Sequence, residues 1–251
     1  MLTTQRKQLI LDLLRRDGQV VAKALSAELG LSEDTIRRDL RELAHEGKLQ
    51  RVHGGALPAS PALADLEGRK QLVPEAKAAI GRAAAAMVRS GQTIILDGGT
   101  TAEQIARHFP ADLRATVITH SPTIAVVLNS HPSIDVLIIG GRLFKHSAVA
   151  VGAGAAAAIA RIRADIFFMG VTGLRPDIGA TTGDPEEADI KRALSESSAE
   201  TIALVSREKL NAASPFVIVA IAEITGIIVE RNTPQRLLWA YQAHGISIVK
   251  A

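Results

Sequence analysis

Apolar positions in the first fifty residues recur at helical spacing. Leu9, Ile10, Leu13 and Leu14 form one face of a first helix, which Asp17-Gly18 stops. Val20 and Val21 begin a short extended piece. Ala22 to Leu29 predict a second helix, closed by Gly30 as a C-terminal cap. Ser32 caps a third helix, with Thr35 and the apolar positions Ile36, Leu40 and Leu43 following. Gly47 ends it. Gly47 and Gly54-Gly55 then bracket a short alternating stretch that suits a two-stranded wing.

Beyond residue 57 the pattern changes twice. Pro58, Pro61 and small residues, with Pro74 just beyond, mark residues 58–73 as a linker. An amphipathic helix is predicted from Pro74 to Arg89. Short apolar runs follow at Thr93–Leu96, Thr116–Thr119, Val136–Ile139, Ile166–Met169, Ile202–Val205 and Ile227–Val229, with helical segments between most of them. Ile246–Val249 is a candidate last strand. This alternation predicts an α/β domain, a mostly parallel sheet with helices on its faces. Three regions result: a winged helix-turn-helix over 1–57, a linker over 58–73 and an α/β domain over 74–251.

Composition narrows the chemistry. Hydrophobic residues make up 47% and aromatics 3%, so the core is built from Ala, Val, Ile and Leu. The chain has no cysteine, which excludes disulfides, thiol catalysis and thiolate metal sites. The seven histidines are scattered, with no pair at helical ligand spacing, so no metal and no cofactor are expected. Arg6 and Lys7 precede an amphipathic stretch rather than an apolar signal region. No apolar run is long enough for a membrane span. The expectation is a cytoplasmic protein with no membrane partner. Residues 1–57 hold ten Lys/Arg against eight Asp/Glu, and the remaining 194 residues carry +1 of the net +3. That excess is too small to indicate nucleic acid by itself.

The arrangement of the cations says more. Arg37, Arg38 and Arg41 share the third helix with an inward apolar stripe. A helix of this length fits a major groove, where its N-terminal residues reach base edges. Ser32 opens that helix. Thr35 and Arg38 are the candidates for base contacts, and Arg37 and Arg41 for phosphates, with roles that can exchange. Lys48, Arg51 and His53 place cations on the wing, near a phosphate backbone or minor groove. An arginine-rich helix alone is more often a solvated face. Asp39, Glu42 and Glu46 oppose DNA binding unless they point away from the groove. The conjunction of helix, turn, capped helix and basic wing favours double-stranded DNA.

In the second domain, Asp97-Gly98-Gly99-Thr100-Thr101 joins a strand to a helix. Such a loop converges backbone N–H groups on an anion, and the helix dipole adds to them. Thr100 and Thr101 suit a phosphate ester. Asp97 suits a sugar hydroxyl or a loop-orienting role. A glycine turn with a threonine cap also has a plain structural reading. Other loops at the same sheet edge add Thr119-His120-Ser121, Gly140-Gly141-Arg142, Gly170-Val171-Thr172-Gly173, and Glu187 with Lys191.

Three N-terminal stretches resemble the DeoR family of bacterial repressors, typified by regulators of sugar and glycerol metabolism. They are Arg6 to Leu14, Ser32 to Leu40, and Arg51-Val52-His53-Gly54-Gly55-Ala56. The resemblance continues through Asp97 to Thr101, Gly140-Gly141-Arg142, Gly152, Asp165 with Phe168 and Gly170, Gly179 to Thr182, Glu187-Ala188 and Lys191-Arg192. It implies a sensor domain resembling the ribose-phosphate isomerase and CoA-transferase fold, and a phosphorylated sugar or related metabolite as effector. It also implies a pocket lined by Asp97, Gly98, Gly99, Thr100, Thr101, Thr119, Arg142, Gly170, Gly173 and Lys191, to which the sheet-edge loop adds His120 as a candidate. A homo-oligomer, dimer or tetramer, would match repeated operator half-sites. Two departures stand out. His120 replaces a common Asn, and Ser206-Arg207-Glu208-Lys209 replaces Asp-Ser-Ser-Lys, keeping the lysine and losing the acid.

A sugar-phosphate isomerase is the main alternative. It needs a positioned base at a carbon acid. The loop from Gly170 to Asp177 has no paired acids, and Asp184, Glu186 and Glu187 read as the acidic first turn of a helix. A purely architectural DNA binder would leave the long second domain without a role.

Overall fold

The computed structural model describes residues 2–17, 19–46, 48–52, 54–58 and 66–251. The expectations for Gly18, Gly47, His53 and Pro61 lie outside these residues. The N-terminal unit comprises α1 (Thr3–Asp17), β1 (Val20–Val21), α2 (Ala22–Leu29), α3 (Glu33–His45), β2 (Leu49–Val52) and β3 (Gly55–Pro58). Its sheet order is β1-β3-β2, antiparallel, with Val52 opposite Gly55 at the tip of the wing and Val20 opposite Ala56. Ile10, Leu14, Leu25, Ile36, Leu40, Leu43 and Leu49 pack into one buried cluster. Gly30 takes a left-handed conformation (φ 63°) and caps α2, which turns the chain into α3. Gly55 has no room for a side chain, since a Cβ there would meet Val20 O at 1.9 Å.

The second unit is a seven-stranded parallel sheet. Its strands are β4 (Thr93–Leu96), β5 (Thr116–Thr119), β6 (Asp135–Ile138), β9 (Ala164–Gly170), β12 (Ser198–Leu204), β14 (Gly226–Val229) and β15 (Ser247–Lys250). The order is β15-β14-β12-β9-β4-β5-β6, with every pair parallel. Each strand expected from the apolar runs is present. Alternate residues feed two cores. Ile95, Phe167, Met169, Ala203 and Ile227 face α8 (Ala153–Ile159), α9 (Pro185–Glu196) and α10 (Trp239–Ala243). Ile94, Leu96, Ile166, Phe168, Ile202 and Leu204 face α5 (Pro74–Ala85), α6 (Thr100–Arg107) and α7 (Pro122–Leu128). A sheet covered on both faces explains runs that are continuously apolar rather than alternating.

The chain begins this sheet at its centre, proceeds from β4 to one edge, then returns beside β4 with β9 and proceeds to the other. The winding reverses between β4 and β9, so the loops after these two strands diverge and leave a crevice.

Additional elements carry no periodic signal long enough to read. β7 (Arg142–Phe144) and β8 (Val149–Val151) form a hairpin, and β10 (Gly173–Arg175), β11 (Gly179–Thr182) and β13 (Phe216–Val219) form a small antiparallel sheet. The linker expected over 58–73 needs correction at both ends. Pro58 belongs to β3, where it pairs with Leu49 at the strand's end. Residues 66–70 form α4 (Leu66–Lys70), with Leu66 buried. The helix predicted to reach Arg89 ends at Ala85.

Candidate functional site

On α3, Asp39 and Glu42, with Glu46 just past the helix end, face α1, while Glu33 and Asp34 of the first turn share the side of the arginines. Asp39 is buried and paired with Arg6 of α1, whose Nη2 donates to Oδ1 at 3.0 Å and whose Nε donates to Oδ2. Lys7 Nζ lies 3.0 Å from both Glu42 and Glu46. Asp39, Glu42 and Glu46 are therefore engaged from behind by α1. Arg38 and Arg41, three residues apart on the exposed side, have no side-chain partner among the described residues. Arg37 is held by Glu33 one turn earlier at 2.8 Å. Ser32 Oγ accepts the Thr35 N–H at 3.2 Å and shares a hydrogen bond with Thr35 Oγ1 at 2.9 Å, so both set the start of the helix. On the wing, Lys48 pairs with Glu46 at 2.8 Å and Arg51 is exposed on β2.

The second site is the crevice between β4 and β9. Asp97, at the end of β4, is fully buried. Its Oδ1 accepts from Gly98 N–H at 2.8 Å and from His120 Nε2 at 2.9 Å. Its Oδ2 accepts from Gly170 N–H at 2.7 Å and faces Lys191 Nζ at 2.8 Å. Lys191 also donates to Gly170 O at 2.8 Å and lies 3.3 Å from Glu187 Oε1. Glu187 Oε2 accepts from Thr182 Oγ1 at 2.8 Å. His120 completes the cluster through Nδ1 and Ala150 O at 3.0 Å. The Lys191 ammonium and the hydrogen bond from His120 outweigh burial and hold the Asp97 carboxyl down at about 2. The paired carboxylates hold the Lys191 ammonium above the usual lysine range. These charges lock the ends of β4, β9 and the start of α9 together.

Above this cluster the cleft is lined by Gly98, Gly99, Thr100, Thr101, Gly170, Thr172, Glu187 and Lys191, and by residues the sequence had not joined to them: Arg69, Lys77, Ser147, Glu208 and Lys209. Gly99 has φ 105°, and a Cβ at Gly98 would meet Val149 at 2.1 Å, so both positions require glycine. The first-turn N–H groups of α6 have no intrahelical acceptor. The hydroxyls of Thr100 and Thr101 have no partner among the described residues, although the two side chains are nearly buried. Lys209 is 9% exposed and its ammonium makes no hydrogen bond or ion pair there, with Glu208 as a nearby opposing charge. Burial lowers its ammonium to about 8. A second lobe of about 300 Å³ adjoins the first and shares Arg69, Ser147, Thr172 and Glu187, with Phe144 and His146 on its wall.

Five expected pocket residues do not line the cleft. Asp97 lies beneath it with both oxygens engaged, which leaves the loop-orienting role. His120 is buried against Asp97. Thr119 Oγ1 accepts the Ser121 N–H at 3.1 Å. Arg142 is exposed on β7 and pairs with Glu186. Gly173 packs against the Ala212 carbonyl. The departure at 206–209 acquires a geometric meaning: the acid absent at Ser206 reappears as Glu208, which accepts from Ser206 Oγ and faces the cleft. Asp184 caps α9 by accepting Glu187 N–H at 2.9 Å, so each acid of the isomerase alternative has a structural partner. No cluster of metal-binding residues occurs among the described residues.

A capped helix with outward arginines beside a hairpin wing, joined to a wound α/β sensor fold, defines a ligand-responsive DNA-binding regulator. Family comparison agrees. Residues 6–61 match the DeoR-like helix-turn-helix domain and residues 73–231 the DeoR C-terminal sensor domain. The chain is 32% identical to the HTH-type transcriptional regulator GlpR of Haloferax volcanii, over 99% of this chain and 98% of that protein. It is 29% identical to the HTH-type transcriptional repressor GlcR of Bacillus subtilis, over 98% and 95%. It is 27% identical to the glycerol-3-phosphate regulon repressor of Escherichia coli, over 98% of each. A ribose 5-phosphate isomerase A from Methanocaldococcus jannaschii is similar over 54% of each chain, at 16% identity and a TM-score of 0.41. The chain belongs to the DeoR family. It is a transcription regulator and not an enzyme.

Proposed function

We propose that this regulator represses carbohydrate-metabolism genes by binding a double-stranded operator as a cytoplasmic homo-oligomer, dimer or tetramer, and that a phosphorylated sugar in the cleft controls that binding. The observation that carries the effector reading is the buried Lys209 ammonium, which makes no hydrogen bond or ion pair among the described residues, beside the open N-terminus of α6 and the Thr100 and Thr101 hydroxyls, which make none among them either. Burying the Lys209 ammonium is costly, Glu208 offsets that cost only in part, and an anion would relieve the remainder. The lobe around it holds about 40 Å³, roughly three times the minimum for one water, which suits a compact anionic group. The neighbouring lobe suits a polyhydroxylated body, with Glu187 and Thr182 as polar partners. On α3, Arg38 and Thr35 contact bases, while Ser32, Arg37, Arg41, Lys48 and Arg51 position the phosphate backbone.

A thermal-shift screen of sugar phosphates, their free sugars and inorganic phosphate tests the effector reading. A ligand at a hundred times its dissociation constant stabilises by about 2.7 kcal/mol, a shift of several degrees. The expected result is a shift with one sugar phosphate and none with its free sugar. Thr100→Ala with Thr101→Ala should abolish that shift and leave operator binding intact. An unchanged shift in the double variant would make the loop purely structural.

A further inference from the structure

The two edges of the parallel sheet are finished differently. β15 carries Ser247 and Lys250 at its ends, and a polar, charged edge discourages further strand pairing. β6, at the other edge, reads Asp135-Val136-Leu137-Ile138, and among the described residues no strand pairs with its outer side. Leu137 is 47% exposed and Ile138 57%. The Asp135 N–H donates inward to Ala115 O and the Ile139 N–H to Thr119 O. Residues of a strand alternate, so Val136 and Ile138 turn their N–H and C=O groups outward. The side chains alternate too. Val136 packs into the core beneath α7, so Ile138 emerges on that face, where Val126 of α7 is also exposed. Ile139 is buried in the other core, so Leu137 emerges on the opposite face.

We propose that β6 is a dimerisation edge, on which the β6 strands of two copies of this chain pair antiparallel about a two-fold axis at Leu137. This rests on the homo-oligomer reading above and adds the surface that forms it. An apolar edge with outward backbone groups is matched by another of the same kind, and a two-fold axis makes one patch its own complement. The backbone selects the register. An axis at Leu137 sets Val136 opposite the partner's Ile138 and Ile138 opposite the partner's Val136, so every outward group of the strand meets an outward group of the partner. An axis at Val136 would set Ile138 against the partner's Ile134, a position whose N–H is already bonded to His131 Nδ1 at 3.2 Å. An axis at Ile138 would set Val136 against the partner's Gly140, a position outside the strand.

Charge agrees with self-pairing. Asp135 is the one charged residue of β6, and it is exposed at the start of the strand. Antiparallel pairing keeps the two Asp135 carboxylates roughly 14 Å apart. It also directs each toward the end of the other strand, from which the partner's Arg142 follows. At the axis, Leu137 meets the partner's Leu137 in a pair without hydrogen bonds, the closer of the two antiparallel spacings, with Cα atoms about 4.5 Å apart. A two-fold axis in the sensor matches the symmetry of an inverted-repeat operator.

The chain has no cysteine, so a single introduced thiol reports only on its own pairing. In the full-length protein under oxidised glutathione, Leu137→Cys should form an inter-chain disulfide, because Cα atoms about 4.5 Å apart lie within disulfide range. Ile138→Cys places the two Cα atoms roughly 8 Å apart, beyond that range, and should cross-link about tenfold more slowly or not at all. Sedimentation supplies an independent readout. Leu137→Lys sets like charges directly opposite each other and should halve the mass of the assembly at a concentration where the parent is fully assembled. Cross-linking at 138 as fast as at 137 would overturn the register. An oligomeric parent whose mass Leu137→Lys leaves unchanged would overturn β6 as the interface while the oligomer reading stands. A parent that sediments as a monomer would remove both.

Discussion

The two sites use charge in opposite ways. On α3, Arg6 and Lys7 engage the carboxylates from behind, leaving Arg38 and Arg41 exposed. In the sensor, Asp97, Glu187, Lys191 and His120 are buried and bonded to one another, and among the described residues the Lys209 ammonium and the Thr100 and Thr101 hydroxyls line the cleft without a hydrogen-bond partner. The difference teaches what each partner demands. DNA is a long anion met by many screened contacts, each worth little alone and all lost with salt. A small metabolite offers few contacts, so its site must be rigid before it arrives.

The sharpest way to break the comparison is Asp97→Ala. It leaves Lys191 and His120 buried without their central counter-charge, a loss of about 3–5 kcal/mol. Calorimetry should show the sensor transition falling by roughly ten degrees (2–4 °C per kcal/mol). A fall below about 1 kcal/mol would mean that the cluster behaves like a surface pair. The same group sets an acid limit. Its carboxyl titrates at about 2 instead of 3.8, so its stabilisation is present above pH 4 and is lost as pH falls through 2.

A smaller effect is expected on the DNA side. Arg38→Ala should cost about 1–3 kcal/mol in specific binding and relax preference at one base pair, measured on a panel of operator variants. Loss that is uniform across sequences would make Arg38 a phosphate contact. The smallest effect is a slope. Burial lowers the Lys209 ammonium to about 8, below the ordinary lysine value of 10.5, and an anion prefers the charged form. Phosphate affinity, measured by calorimetric titration, should fall above pH 8 by up to about tenfold per unit. Lys209→Met should bind more weakly and show no such fall. A flat profile in the parent protein would show that Lys209 does not touch the anion.

Legibility in the sequence followed distance along the chain. The Ser32 cap, the Gly30 turn and the stripe through Ile36, Leu40 and Leu43 are local, and each carried its own signal. The five inner strands were legible because burial on both faces leaves nearly unbroken apolar runs, and the edge strands β6 and β15 carry short apolar runs although they are largely exposed. Asp97 was visible as part of a glycine loop, but its role was not. Its partner Gly170 lies 73 residues away, and nothing local distinguishes a ligand contact from a buried support. Arg69 was hidden for the same reason: it sits in a proline-flanked stretch that reads as linker, while its partner Ser147 is 78 residues on.

The sequence alone determined the order of the two domains, the capped recognition helix with its arginines, and the parallel sheet with a glycine–threonine loop at its first strand. These follow from periodicity, capping and turn chemistry, which act over a few residues. Tertiary structure decided that α1 engages the acids of α3, that Asp97, His120 and Lys191 support the cleft from below, and that Arg69, Lys77 and Lys209 meet across it. The reversal of winding between β4 and β9 sets those meetings, because it brings together side chains whose interaction depends on distance in space.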